Sequence, residues 1–127
     1  MACIRLRCVS EMSGLRISAV LRYGVGADGS FRFERSIVWP MLRTIPNNTH
    51  GSLMRRFAWD VPRMLSVNEN CLQQEKVRRI VLDGTMTVES DWTAVKGSLS
   101  LTRVLFPSVD EAAFCEKYIL KNTGEKP

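Results

Sequence analysis

The residues that could carry chemistry are few. The chain has a single histidine, His50, and four cysteines, Cys3, Cys8, Cys71 and Cys115. No two cysteines stand in the C-x-x-C spacing of a zinc ribbon or a redox dithiol. A four-ligand zinc site would consume almost every soft ligand present, so no metal and no cofactor is expected. Cys71 and Cys115 lie in apolar surroundings and read as small buried hydrophobes. A Ser-His-Asp arrangement would have to recruit His50, but no G-x-S-x-G elbow exists to hold a nucleophile. Gly24-Val25-Gly26-Ala27-Asp28-Gly29 has dinucleotide-loop spacing. An alternating strand follows it where the fingerprint needs a helix, so it reads as a hairpin.

Glycoside hydrolysis requires two carboxyl groups about 5–9.5 Å apart, one with a raised pKa. Glu89 with Asp91 and Asp110 with Glu111 are the local pairs. Both adjoin polar turn-forming residues, where a solvated, ionised carboxylate is the default. No catalytic residue is assigned. Two stretches suit binding instead. Asn47, Asn48, Thr49 and His50 place amide, hydroxyl and imidazole groups on one loop, fit for sugar hydroxyls or a neighbouring domain. The plain alternative is a polar turn satisfying its own backbone. Asn47-Asn48-Thr49 also matches a glycosylation acceptor, which has little meaning without secretion. In Arg55-Arg56-Phe57-Ala58-Trp59-Asp60 an indole beside cations could stack on a sugar ring or a base. Core packing of Phe57 or Trp59 is the competing expectation.

Such groups need a scaffold. The 127 residues, 14.4 kDa, suffice for one domain. An apolar fraction of 45% and a charged fraction of 24% are those of a folded globular domain. There is no run of 18 apolar residues, so no spanning helix and no membrane partner is expected. Charges interrupt Met1–Arg7 where a signal peptide would be apolar; no secretory signal is read, and the cytoplasm is the default. The net charge is +5, and thirteen of the eighteen cations are arginine. They are spread along the chain and read as cations on the wet faces of strands. Only Arg55-Arg56 and Arg78-Arg79 are adjacent, a weak footprint for nucleic acid.

Period-two alternation dominates the chain. Leu15, Ile17, Ala19, Leu21, Tyr23 and Val25 share one face, with Arg16, Ser18 and Arg22 on the other. An Asp28-Gly29 turn follows, then a strand from Phe31 to Trp39, which together predict a hairpin. Thr44–Gly51 reads as a loop and Leu53–Trp59 as a strand. A short strand at Arg63–Val67 meets a turn at Asn68-Glu69-Asn70, and Cys71–Lys76 is ambiguous between strand and helical turn. Arg79–Glu89 reads as one long strand bent at Gly84. Ser90-Asp91-Trp92 is expected to turn the chain, and strands follow over 98–107 and 114–121. Six to eight strands with short connections predict an all-β antiparallel sandwich. Asn122–Pro127 reads as a hairpin turn with no return strand, so a longer parent protein and an open sheet edge are expected.

The run Arg103–Gly124 contains Phe106-Pro107-Ser108, a short acidic link, and Glu116-Lys117-Tyr118 leading to Asn122. This pattern resembles the N-terminal β-sandwich of large glycosidases whose catalytic domain is a six-hairpin (α/α)₆ toroid. Val38–His50 is similar to an upstream segment of some members, and the likeness extends from Ile37 to Pro127. It implies a non-catalytic accessory domain that packs against a catalytic toroid in the same chain, since the family's acid and base lie on the toroid. Carbohydrate contact through Asn47–His50 and Trp59 accompanies that reading. The alternatives are a free-standing basic module binding nucleic acid through Arg55, Arg56, Arg78 and Arg79, and a module that self-associates through an open edge.

Overall fold

A computed structural model describes residues 6–39, 53–67, 70–72, 74–94 and 97–124. The chain is an all-β antiparallel sandwich, as the alternation predicts. The first sheet is a meander of β1 (Cys8–Ser13), β2 (Ser18–Val25), β3 (Phe31–Trp39) and β4 (Leu53–Phe57), in that spatial order. A 3₁₀ turn at Val61–Met64 and a two-strand ribbon, β5 (Ser66–Val67) with β6 (Asn70–Cys71), lead into the second sheet. That sheet is again a meander, β7 (Gln74–Leu82), β8 (Met86–Ala94), β9 (Gly97–Pro107) and β10 (Phe114–Asn122).

The hairpin over 18–39 forms as read. Val25 pairs with Phe31, and Gly29 supplies the positive φ (87°) that the reversal needs. The inner faces then follow from the pleat. Met12, Leu21, Phe31 and Phe33 of the first sheet meet Met86, Val88 and Leu105 of the second. Phe31 and Phe33 stack with ring centroids 5.3 Å apart. Ile17, Ala19 and Ile37 pack with Phe57 and Phe114 at one end of this core, and Leu72, Trp92 and Leu101 with Tyr118 at another.

Four expectations need correction. Gly84, at φ 88°, does not bend one strand; it reverses the chain between β7 and β8, with Leu82 facing Met86. Ser90-Asp91-Trp92 is no turn. Ser90 and Trp92 are buried in the middle of β8, continuing the inward series of Met86 and Val88, and burial of that face outweighs the turn preference of Ser and Asp. β1 joins the first sheet as an edge strand ahead of the expected first one. Cys115 is only half-buried, because it lies on the outer side of β10, away from the inward Phe114 and Glu116.

The arginines supply a fifth correction. Most are exposed, but Arg35 and Arg103 are buried between the sheets, at the inward positions of β3 and β9. Arg35 is held by Glu116 of β10, which its Nε contacts at one oxygen and its Nη2 at the other, 3.0 Å away. Its Nη1 donates to the Trp59 carbonyl at 2.8 Å, and its guanidinium lies 4.4 Å from the Phe33 ring centroid and 4.5 Å from that of Trp59. Arg103 donates to Glu75 of β7 at 2.5 Å and to Asp60 at 2.8 Å. Burial works against its charge, but Glu75 and Asp60 outweigh that and push its pKa above the usual guanidinium value. A buried cation survives only when so paired.

Candidate functional site

Two parts of this scaffold present groups to solvent in a way that packing alone does not explain. The first is the free edge of the first sheet. β4 pairs with β3 on one side, Leu53 opposite Trp39 and Phe57 opposite Arg35. On its other side no described strand follows. The register places Leu53, Arg55 and Phe57 on the side facing the second sheet, yet only Phe57 is partly covered. Leu53 is 59% exposed and its neighbour Met54 66%. Trp59, just past the strand, is 49% exposed, with one face of its indole against Arg35 and its edge against Phe57. Arg55 and Arg56 are exposed on the same strand, and Arg55 lies 5.5 Å from the Phe57 ring centroid. The edge thus exposes apolar side chains on both faces, Leu53 inward and Met54 outward, beside the cations of Arg55 and Arg56.

The second is a cleft of about 370 Å³ on the far side of the core. The β2–β3 turn brings Asp28, Ser30 and Arg32 to it, β7 brings Glu75 and Lys76, and Arg63 and Trp92 close it. The turn is pinned there by the Val77 N–H, which donates to the Gly29 carbonyl at 2.9 Å. Asp28 accepts from the Ser30 hydroxyl and backbone N–H, at 2.5 and 3.1 Å, and these bonds hold its carboxyl below the usual range.

No family model matches the sequence, and neither a curated protein nor a solved structure matches the chain. The site therefore rests on its own geometry.

Among the residues expected to bind, Trp59 lies on the β4 edge, half in solvent and half stacked on a buried ion pair. Asn47, Asn48, Thr49 and His50 lie outside the described residues. The basic pairs behave differently from one another. Arg78 pairs with Asp91 at 3.1 Å and Arg79 with Glu89 at 2.9 Å, across β7 and β8. The carboxylates weighed as a hydrolytic pair thus neutralise the cations weighed as a nucleic-acid footprint. Ser108 and Asp110 hydrogen-bond within the β9–β10 link, whose Ala112 carbonyl accepts from the Trp39 indole at 3.0 Å. Glu116 and Tyr118 of the Glu-x-Tyr pattern are themselves bonded, Tyr118 donating at 2.8 Å. Burial and that bond push the Tyr118 pKa well above the ordinary phenol value.

Sequence reading missed Arg35, Arg63, Arg103 and Trp92. A signal existed for two of them. Arg35 falls in the inward series Phe31, Phe33, Ile37, and Arg103 in Leu99, Leu101, Leu105. A cation at a core position of an alternating strand predicts a buried carboxylate partner.

Proposed function

We propose that this sandwich is a non-catalytic accessory domain that packs against the catalytic toroid of a carbohydrate-active enzyme through the free edge of β4. The observation that carries the reading is the set of exposed apolar side chains at one end of the sheet, on a strand with no described neighbour on one side. Leu53 lies on the inner face of β4, Met54 on its outer face and Trp59 just past it. Unpaired edge N–H and C=O groups invite a further strand or a covering surface, and the apolar side chains add area that water leaves readily. Arg55 and Arg56 favour an occupant with acidic residues along its rim. The likeness of residues 103–124 to glycosidase sandwiches names the kind of occupant. Carbohydrate contact at the same edge draws on the half-exposed Trp59 indole, whose outer part suits a sugar ring.

The test is a titration of the chain with an (α/α)₆ catalytic domain of such a glycosidase, expressed without its own sandwich. Sedimentation velocity reads the outcome. A 1:1 complex that is lost in Leu53→Lys/Met54→Glu is the expected result. No complex, or a dimer of the chain alone through β4, would overturn the reading in favour of self-association.

A further inference from the structure

The β7 side of the molecule carries a site of its own, unrelated to the β4 edge. Five charged side chains line the cleft there, and they are not equally committed. Glu75 is occupied by Arg103, and Asp28 by Ser30. Arg63 donates to the Phe31 carbonyl at 3.1 Å and lies 3.8 Å from Asp60 and 3.9 Å from Glu75. Arg32 and Lys76 have no ion pair within 4 Å among the described residues. Two donors are also left over. The indole Nε1–H of Trp92, a residue only 1% exposed, has no acceptor among the described residues; the Nε–H of Arg63 makes no hydrogen bond there either, its Nε standing 3.8 Å from the Asp60 carboxylate. Burial, and after it the positive charge of Arg32, lower the Arg63 pKa against the raising effect of Glu75 and Asp60. Arg32 and Lys76, two cations without an ion pair among the described residues, stand beside the Arg63 guanidinium, which shares Asp60 and Glu75 with Arg103, and together they leave a place for negative charge.

We propose that the cleft between the β2–β3 turn and the start of β7 binds a small oxyanion, a phosphate or carboxylate group on a soluble ligand, through Arg32, Arg63, Lys76 and Trp92. Guanidinium groups hold both anions by paired hydrogen bonds, and the ammonium of Lys76 adds charge without directional demand. The volume lies within the ordinary range for small-molecule sites, roughly 300–1,000 Å³. The Gly29–Val77 bond fixes the β2–β3 turn, and with it the start of β3 that carries Arg32, against β7, so the backbone positions of Arg32 and Lys76 are set before a ligand arrives.

The experiment is an NMR titration of the ¹⁵N-labelled chain with inorganic phosphate and, in a second arm, glucuronate, against sodium chloride at matched ionic strength. Trp92→Phe assigns the reporter among three indole resonances. A saturable shift of the Trp92 indole with phosphate assigns the site to phosphate, and one with glucuronate alone assigns it to carboxylate. Arg32→Gln and Lys76→Gln, both at exposed positions that leave the core intact, are each expected to weaken that binding about tenfold, the worth of one charge-assisted hydrogen bond. No saturable indole shift with either probe, the same shift with chloride, or undiminished affinity in both variants would overturn the proposal.

Discussion

Of the four outer strands of the two sheets, β4 and β7 are finished differently. β7 is nine residues long, bulged between Val77 and Arg79, and charged along its length with Glu75, Lys76, Arg78 and Arg79. One of its N–H groups is already taken by Gly29. A bulge, surface charge and a covering turn are the usual ways of closing an edge to further pairing. β4 has five residues, no bulge, and Leu53 and Met54 in water. One edge is closed and carries a polar cleft; the other, among the described residues, is open and carries apolar area. A domain that needed only to remain monomeric would gain from the first finish at both places.

The closed edge depends on Arg103, and the largest predicted effect breaks it there. Arg103→Met leaves Asp60 and Glu75 buried without their cation, and urea denaturation should show a loss of about 3–5 kcal/mol. Adding Asp60→Asn and Glu75→Gln should return most of that loss, because the uncompensated charge goes with them. A single variant as stable as the parent would remove Arg103 from the account of how β9, β7 and the segment after β4 are joined. Gly29→Ala is next. A Cβ there would sit 3.1 Å from the Lys76 Cα, at a φ that L residues seldom adopt. A cost of about 1–3 kcal/mol is expected, with faster hydrogen exchange at Val77 as the β2–β3 turn lifts away from β7.

These dependencies show what could be read from the sequence and what could not. The hairpin over 18–39 was legible because Ala19, Leu21, Phe31 and Phe33 alternate cleanly and Asp28-Gly29 marks the turn. β8 was misread at Ser90-Asp91-Trp92, because local turn preference and strand burial compete there and only the long-range partner, β9, decides between them. β1 escaped notice since Met12 is its one buried apolar residue, so an edge strand shows almost no contrast between its faces. At β4 only the exposed indole of Trp59 was among the expected binding residues; the open edge was expected at Asn122–Pro127, because the pairing of β4 on one side alone depends on long-range order that spacing does not carry. The cleft was not legible, because it gathers residues from four separate stretches, and proximity of that kind has no trace in spacing.

Two smaller effects sharpen the contrast. Tyr118 has a folded-state pKa raised above its unfolded value, so the folded chain keeps the phenol proton after the unfolded chain has begun to release it. Its contribution is fully present below about pH 10 and declines as pH rises through and beyond that value. The urea midpoint should therefore fall more steeply above pH 10 in the parent than in Tyr118→Phe; parallel curves would mean that burial and the Glu116 bond do not raise the Tyr118 pKa in the folded chain. Smallest of all, Leu53→Lys/Met54→Glu should change stability by only about 0.5 kcal/mol, as befits exposed positions. A large loss on thermal melting would mean that these side chains are already packed within the domain and that β4 is no docking edge.

The difference between the edges is read most directly by amide hydrogen exchange along both, with and without an (α/α)₆ catalytic domain lacking its own sandwich. The account predicts fast exchange at the unpaired amides of Leu53–Phe57 in the free chain and strong slowing on addition of the toroid, while Gln74–Leu82 stays unchanged. Protection of β7 in place of β4, or no change at either edge when the toroid is present at saturating concentration, would contradict it.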